Sequence, residues 1–142
     1  MTYITENRIE IIDEIIDWKD SVKLASKPLI KDGSIDELYV NNMIDSVEKH
    51  GPYMVLRDYF ALLHAQPGVG VNKVASSILV NKKEIDFKGK PVKVIIVFSA
   101  IDSNSHLEML KHISSIISDN DKFDEIIKGD RNKIIKLLKE EV

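Results

Sequence analysis

The sequence predicts an α/β fold, a sheet packed against helices, and three observations carry the prediction. Residues Val92–Phe98 form a near-continuous apolar run, and a run without alternation marks a strand covered on both faces, as at the centre of an α/β sheet. Segments with apolar residues three and four apart stand before and after that run, two of them opened by a capping sequence. The length of 142 residues suits a single domain, 1–142, with one sizeable core.

Arg8–Ile16 opens the chain with Ile9, Ile11, Ile12, Ile15 and Ile16, a pattern that fits a strand or a short helix equally. From Asp17 the signal is helical, with Trp18, Val22, Ala25 and Leu29 in register. Pro28 lacks the N–H that a continuing helix needs, which predicts a break or kink near Lys27. Asp32-Gly33 is a turn, and Ser34 with Glu37 makes a capping box for a second helix, about Ile35 to Lys49. Its inner side carries Leu38, Val40, Met43, Ile44 and Val47, and His50-Gly51-Pro52 closes it.

Tyr53–Leu56 and Phe60–Leu63 are short apolar pieces on either side of Arg57-Asp58, and the Gly/Pro-rich stretch from His64 to Gly70 is a loop. Val74–Val80 and Val92–Phe98 are strands, with Glu84–Phe87 a short edge strand between them. Ser105 and Glu108 form a second capping box, which puts His106 at the first helical position with Leu110, Ile113 and Ile117 on its side. Two short helices, about Asp121–Lys128 and Asp130–Glu140, finish the chain.

The net charge of -3 gives no general pull towards nucleic acid. The absence of cysteine removes disulfides, thiolate catalysis and zinc-thiolate sites. The N-terminus lacks the apolar core of a signal peptide, and no apolar stretch approaches the roughly 20 residues that span a bilayer. The expectation is a cytoplasmic protein with no direct membrane insertion.

Gly68-Val69-Gly70 lacks the third glycine of a nucleotide loop, and no Walker sequence, serine elbow or zinc-protease helix is present. The chemistry therefore rests on four histidines, at 50, 64, 106 and 112. His50 ends a helix, where a cation complements the dipole, and His112 reads as solvated. His64 follows an apolar run and opens a loop, so it stands at the lip of a sheet, where a neutral imidazole nitrogen is a nucleophile towards phosphorus. His106 at a helix N-terminus adds N–H donors, the positive end of a dipole and a second imidazole. Taken alone, each histidine is more often structural; their setting in the chain decides.

That setting resembles the mannitol/fructose-type enzyme IIA family of the phosphoenolpyruvate-dependent phosphotransferase system, most closely its ascorbate-type branch. The matching residues are Asp17-Trp18 with Ala25, Leu29 to Gly33, Tyr39-Val40 with Met43-Ile44, and Gly51-Pro52-Tyr53. They continue through Ala61-Leu62-Leu63-His64-Ala65 with Pro67, Gly70-Val71, Ala100-Ile101-Asp102, and His106-Leu107 with Leu110, so the resemblance spans about residues 15–140. It implies a three-layer α/β sandwich, a mixed β-sheet with helices on both faces. It also implies a phosphotransferase role: His64 as phosphoryl acceptor, His106 supporting the phosphoryl group, the carrier protein HPr as donor and a cysteine of a cognate enzyme IIB as next acceptor. No cofactor or metal is implied.

This chain departs from the family in having Leu63 where a proline usually precedes the active histidine, and Gln66 where an arginine often follows it. The second helix reads Ser46-Val47-Glu48-Lys49 where mannitol-type members carry an assisting arginine. Arg57 or Lys73 could substitute, although sequence does not give their direction, and Leu62, Leu63 and Val69 form an apolar rim or simply fill the core. Leu63 and Gln66 also allow a rival reading, an enzyme IIA-like regulatory module that binds a transcription regulator or transporter with little phosphotransfer. Neither the sugar nor the oligomeric state, homodimer included, follows from the residues.

Overall fold

The computed structural model describes residues 4–104 and 106–140. After a short 3-10 turn at Glu6–Arg8 come β1 (Ile9–Ile12), α1 (Trp18–Lys31), α2 (Glu37–His50), β2 (Val55–Arg57), β3 (Tyr59–Leu63), β4 (Ala75–Phe87), β5 (Lys90–Ser99), α3 (Leu107–Ile117), α4 (Asn120–Ile127) and α5 (Arg131–Glu140). The ambiguous opening run thus resolves into a turn and a strand. The five strands form one mixed sheet in the order β1-β4-β5-β3-β2, with β1 parallel to β4, β3 parallel to β5 and the other pairs antiparallel.

The apolar run anticipated at the centre of the sheet is β5, the middle strand of the five. Its side chains alternate between two cores. Val92, Ile95 and Val97 pack with α1 and α2, through Val22, Ala25, Leu29, Tyr39, Val40, Met43 and Val47. Val94, Ile96 and Phe98 pack on the other face with Met109, Ile113 and Ile116 of α3, Phe123 and Ile126 of α4, and Ile134 and Leu138 of α5. Helices therefore cover both faces, giving the three-layer α/β architecture. Among the described residues, no helix is long and apolar enough to cross a membrane.

Several local expectations are corrected. α1 does not end near Lys27 but runs through Pro28 to Lys31. Pro28 and Leu29 are buried against the sheet, and the last turn closes with Asp32 donating to the Pro28 carbonyl (3.1 Å) and Ser34 to that of Leu29 (2.9 Å). Tertiary burial and this C-terminal closure outweigh the one bond that proline removes. Ser34 caps nothing: it is buried, its hydroxyl bonds to Asp32, and Arg8 reaches both, so Asp36 takes the N-cap position of α2. The buried stripe of α2 is Tyr39, Val40, Met43 and Val47; Leu38, about 100° around the helix from Tyr39, is 52% exposed.

Glu84–Phe87 is not a separate edge strand. It is the far half of the 13-residue β4, which turns into β5 through Lys88-Gly89, both at positive φ. Register shifts between Val80 and Ile85, and the exposed Lys82, Lys83 and Glu84 within that irregularity break the apolar pattern that a continuous strand would show. α3 begins one residue later than expected: His106 occupies the N-cap position and makes no side-chain capping bond. Ser105, expected to cap it, lies outside the described residues.

The loop after β3 is stitched to the start of α2. Asp36 donates to the Gly70 carbonyl at 2.9 Å, and Ile35 bridges Val71. Gly70 has φ +71, and a Cβ there would fall 2.8 Å from the Tyr39 backbone nitrogen; Gly33, at φ +79, has nothing within 4 Å. Gly33→Ala is thus expected to cost only the left-handed conformation, about 1–2 kcal/mol. Gly70→Ala should cost clearly more, because backbone must also move. Urea unfolding of the two variants at equal m-value checks this, and equal midpoints would show that the loop yields freely.

Candidate active site

Strand parity builds the site. β3 and β5 run parallel with Leu62 opposite Ile96 and Leu63 opposite Val97, so the next pair along is His64 and Phe98. Side chains of paired residues in a sheet lie on one face, and parity gives Phe60 and Leu62 the face of Val94, Ile96 and Phe98. His64 continues that series. Its imidazole stacks on the Phe98 ring, centroids 4.7 Å apart and planes 23° apart.

α3 covers the same face, and its N-cap residue brings a second imidazole to the same ring: His106 lies 5.5 Å from Phe98, at 19°. Phe98 is itself 5% exposed and forms part of the core. Both imidazoles therefore rest on one buried ring at the C-terminal ends of two parallel strands, where the positive end of the α3 dipole also lies. His106 Nδ1 is buried and has no hydrogen-bond partner among the described residues. A buried N–H without an acceptor costs more than a buried lone pair with a spare site, so the His106 proton is better placed on Nε2.

The loop carrying His64 is fixed from the other side of the sheet. The Tyr39 hydroxyl donates to the Phe98 carbonyl at 2.6 Å and accepts from the Ala65 N–H at 3.0 Å. Tyr39 is 1% exposed, and burial pushes its phenol up to about 12, so it stays a donor throughout the physiological range. Gly68 donates to the Ala100 carbonyl at 2.8 Å, folding the loop back over the end of β5.

Burial of part of the ring lowers the His64 pKa below its ordinary value of 6.5; the nearby Leu62 carbonyl opposes this, and neighbouring His106 adds to it. The residue nevertheless keeps an exposed edge. A neutral imidazole carries its proton on one ring nitrogen and a lone pair on the other.

The structure thus brings His64 and His106 together, and it sorts the other candidates away. His50 ends α2 exposed, with its ring edge-on to Tyr53. His112 is not solvated; it lies on the buried stripe of α3 with Met109, Ile113 and Ile116, 8% exposed. Of the expected rim, Leu62 and Val69 are half-buried but Leu63 is core, and the exposed apolar residues beside the histidines are Ile101 and Leu107. Arg57 is no substitute cation for the site. Its guanidinium bonds the Ile117 carbonyl at 2.8 Å and Asn120 at 3.1 Å and lies over Phe123, at the C-terminal end of an 11-residue helix whose other end carries His106, about 16 Å away. Lys73 is exposed, and its carbonyl accepts from Ser99 at the end of β5.

Two residues of the site escape sequence reasoning. Phe98 is visible only as the last member of an apolar run. Tyr39 carries the weak signal that a tyrosine on a helix with apolar neighbours must find a partner for its hydroxyl when buried.

The architecture and the chain match known proteins along their length. The family model described as phosphoenolpyruvate-dependent sugar phosphotransferase system, EIIA 2, matches residues 2–141. An ascorbate-specific EIIA component of that system from Shigella boydii is 31% identical over 128 residues, covering 87% of this chain and 83% of its own. The solution structure of the mannitol-specific cryptic phosphotransferase enzyme IIA from Escherichia coli superposes with a TM-score of 0.89 at 24% identity, over 96% of this chain and 95% of that one. The E. coli complex of mannitol enzyme IIA with phosphorylated mannitol enzyme IIB matches with a TM-score of 0.79 at 15% identity, over 93% and 94%. The chain, with its two imidazoles on one ring at the sheet's C-terminal edge, belongs to the EIIA 2 family of the phosphoenolpyruvate-dependent sugar phosphotransferase system.

Proposed function

We propose that this chain, acting as one cytoplasmic domain, is a phosphocarrier in which His64 accepts a phosphoryl group from phospho-HPr and yields it to a cysteine of a cognate enzyme IIB. The observation that carries this reading is the pair of imidazoles on Phe98, one with an exposed edge and a lone pair, the other at a helix N-terminus. The solved complex of a structurally similar enzyme IIA with phosphorylated enzyme IIB supports the second partner.

The transfer is an in-line exchange of P–N bonds. The unprotonated nitrogen of His64 attacks phosphorus as the bond to the HPr imidazole breaks, and the donor imidazole leaves with that electron pair. His106 donates from Nε2 to a phosphoryl oxygen, assisted by the α3 dipole. The enzyme IIB thiolate then attacks the same phosphorus, and His64 leaves neutral. Catalysis is positioning and electrostatics, and it asks no cofactor or metal of this chain.

A nucleophile on an exposed residue such as His64 is open to a protein partner. A cleft of about 340 Å³, lined by Leu24, Ile30, Val40, Lys23 and Lys27, lies between α1 and α2, on the face of the sheet away from the imidazoles. Ile101 and Leu107, each half exposed, flank the histidines and would exclude water when a partner docks.

Incubation with phosphoenolpyruvate, enzyme I and HPr should add one acid-labile phosphoryl group, seen by intact mass. His64→Ala should abolish it, and His106→Ala should slow transfer about 100-fold, the cost of one missing oxyanion donor. An unmodified wild type with active HPr rejects the carrier reading and favours the regulatory module. The depressed His64 pKa sets the pH dependence. A lowered value means that the neutral nucleophile persists to lower pH, so the transfer rate should hold from pH 7.5 down past the ordinary imidazole value of 6.5 and fall only below it. NMR titration of the His64 ring protons should give the same midpoint.

A further inference from the structure

The Tyr39 hydroxyl makes two bonds, and each has a defined relation to an active-site ring. Its acceptor is the carbonyl of Phe98, the residue on which both imidazoles rest, and its donor is the N–H of Ala65, the residue after His64. One oxygen atom therefore ties the end of β5 to the first residues of the loop after β3, just where the ladder between those strands ends at Leu63 and Val97. The next backbone tie along the loop is Gly68 to Ala100. Tyr39 approaches from the α1/α2 side of the sheet, opposite the imidazoles, and is 1% exposed, so it can touch neither phosphoryl group nor protein partner.

We propose that Tyr39 is a positioning residue for phosphoryl transfer: its hydroxyl extends the β3–β5 register by one residue and so holds the His64 imidazole on Phe98 in line with His106. The proposal rests on His64 being the phosphoryl acceptor. Without the hydroxyl, Ala65 N–H and the Phe98 carbonyl lose a shared partner. The loop then gains freedom at the residue beside the nucleophile, while the helix, the sheet and the docking surface are unchanged.

Tyr39→Phe keeps the ring and its packing and tests the bond alone. The expected result is transfer from phospho-HPr slowed roughly 10- to 100-fold, the penalty of a misplaced reacting group, with the concentration of phospho-HPr giving half-maximal rate unchanged. The His64 ring-proton shifts, set by the Phe98 ring current, should move towards those of an unstacked histidine, and its titration midpoint should rise towards 6.5. Ser77→Ala is the matched control, since it removes another buried hydroxyl bond from the same sheet, Ser77 to the Ala25 carbonyl at 2.6 Å, on β4, which β5 separates from β3. Wild-type rate and unshifted His64 signals in Tyr39→Phe would overturn the proposal, and so would an equal slowing in Ser77→Ala. If wild-type protein accepts no phosphoryl group, the acceptor reading fails separately, and the His64 shifts alone decide whether Tyr39 positions the ring.

Discussion

β5 has apolar side chains on both faces, and that single strand constrains everything around it. A strand of this kind cannot face water on either side, so the chain must supply helices for both. α1 and α2 cover the face of Val92, Ile95 and Val97, and α3 to α5 cover the face of Val94, Ile96 and Phe98. Because β3 pairs with β5 in parallel, the pleat that sorts β5 sorts β3 with it. A one-residue slip between them would carry His64 to the face of α1 and α2, away from His106 and the N-terminus of α3. The site is thus a consequence of register before it is a consequence of chemistry.

What the sequence reveals follows the same logic. The central strand is legible because burial on both faces leaves an apolar run that no amphipathic element mimics. His64 and His106 are legible because one follows an apolar strand and the other opens a helix, and both ends lie at the sheet's edge. The features that escape are those decided by tertiary contacts. Pro28 continues a helix only because Pro28 and Leu29 are buried and the turn behind them is closed by Asp32 and Ser34. Tyr39 rather than Leu38 turns inward because it stands four and eight residues before Met43 and Val47 on the buried stripe, and α2 starts later than a capping box at Ser34 implies because that serine is drawn to Asp32 and Arg8. The irregularity between Val80 and Ile85 hides the length of β4 by inserting exposed Lys82 and Lys83 into a strand. His112 is polar and so reads as solvated, although it shares the stripe of Met109 and Ile116.

The charge around the histidines has a functional reading of its own. Arg57, the arginine of β2, is spent on the C-terminal end of α3 and on the Phe123 ring, where it fastens helix to sheet. Leu63, standing where the family usually has proline, is part of the core shared with α1 and α2. The phosphoryl group on the proposed acceptor would then be held by an imidazole N–H and a helix dipole more than by a fixed cation. Hydrogen bonds to ionised donors are roughly twice as strong as neutral ones, and a strongly paired phosphohistidine is a poor donor to the next protein. A carrier must bind its group tightly enough to receive it and loosely enough to release it. Neutral donors placed on a rigid ring meet both demands, provided that their geometry is fixed, and here that geometry descends from Phe98, from the hydroxyl behind it and from the register of two parallel strands.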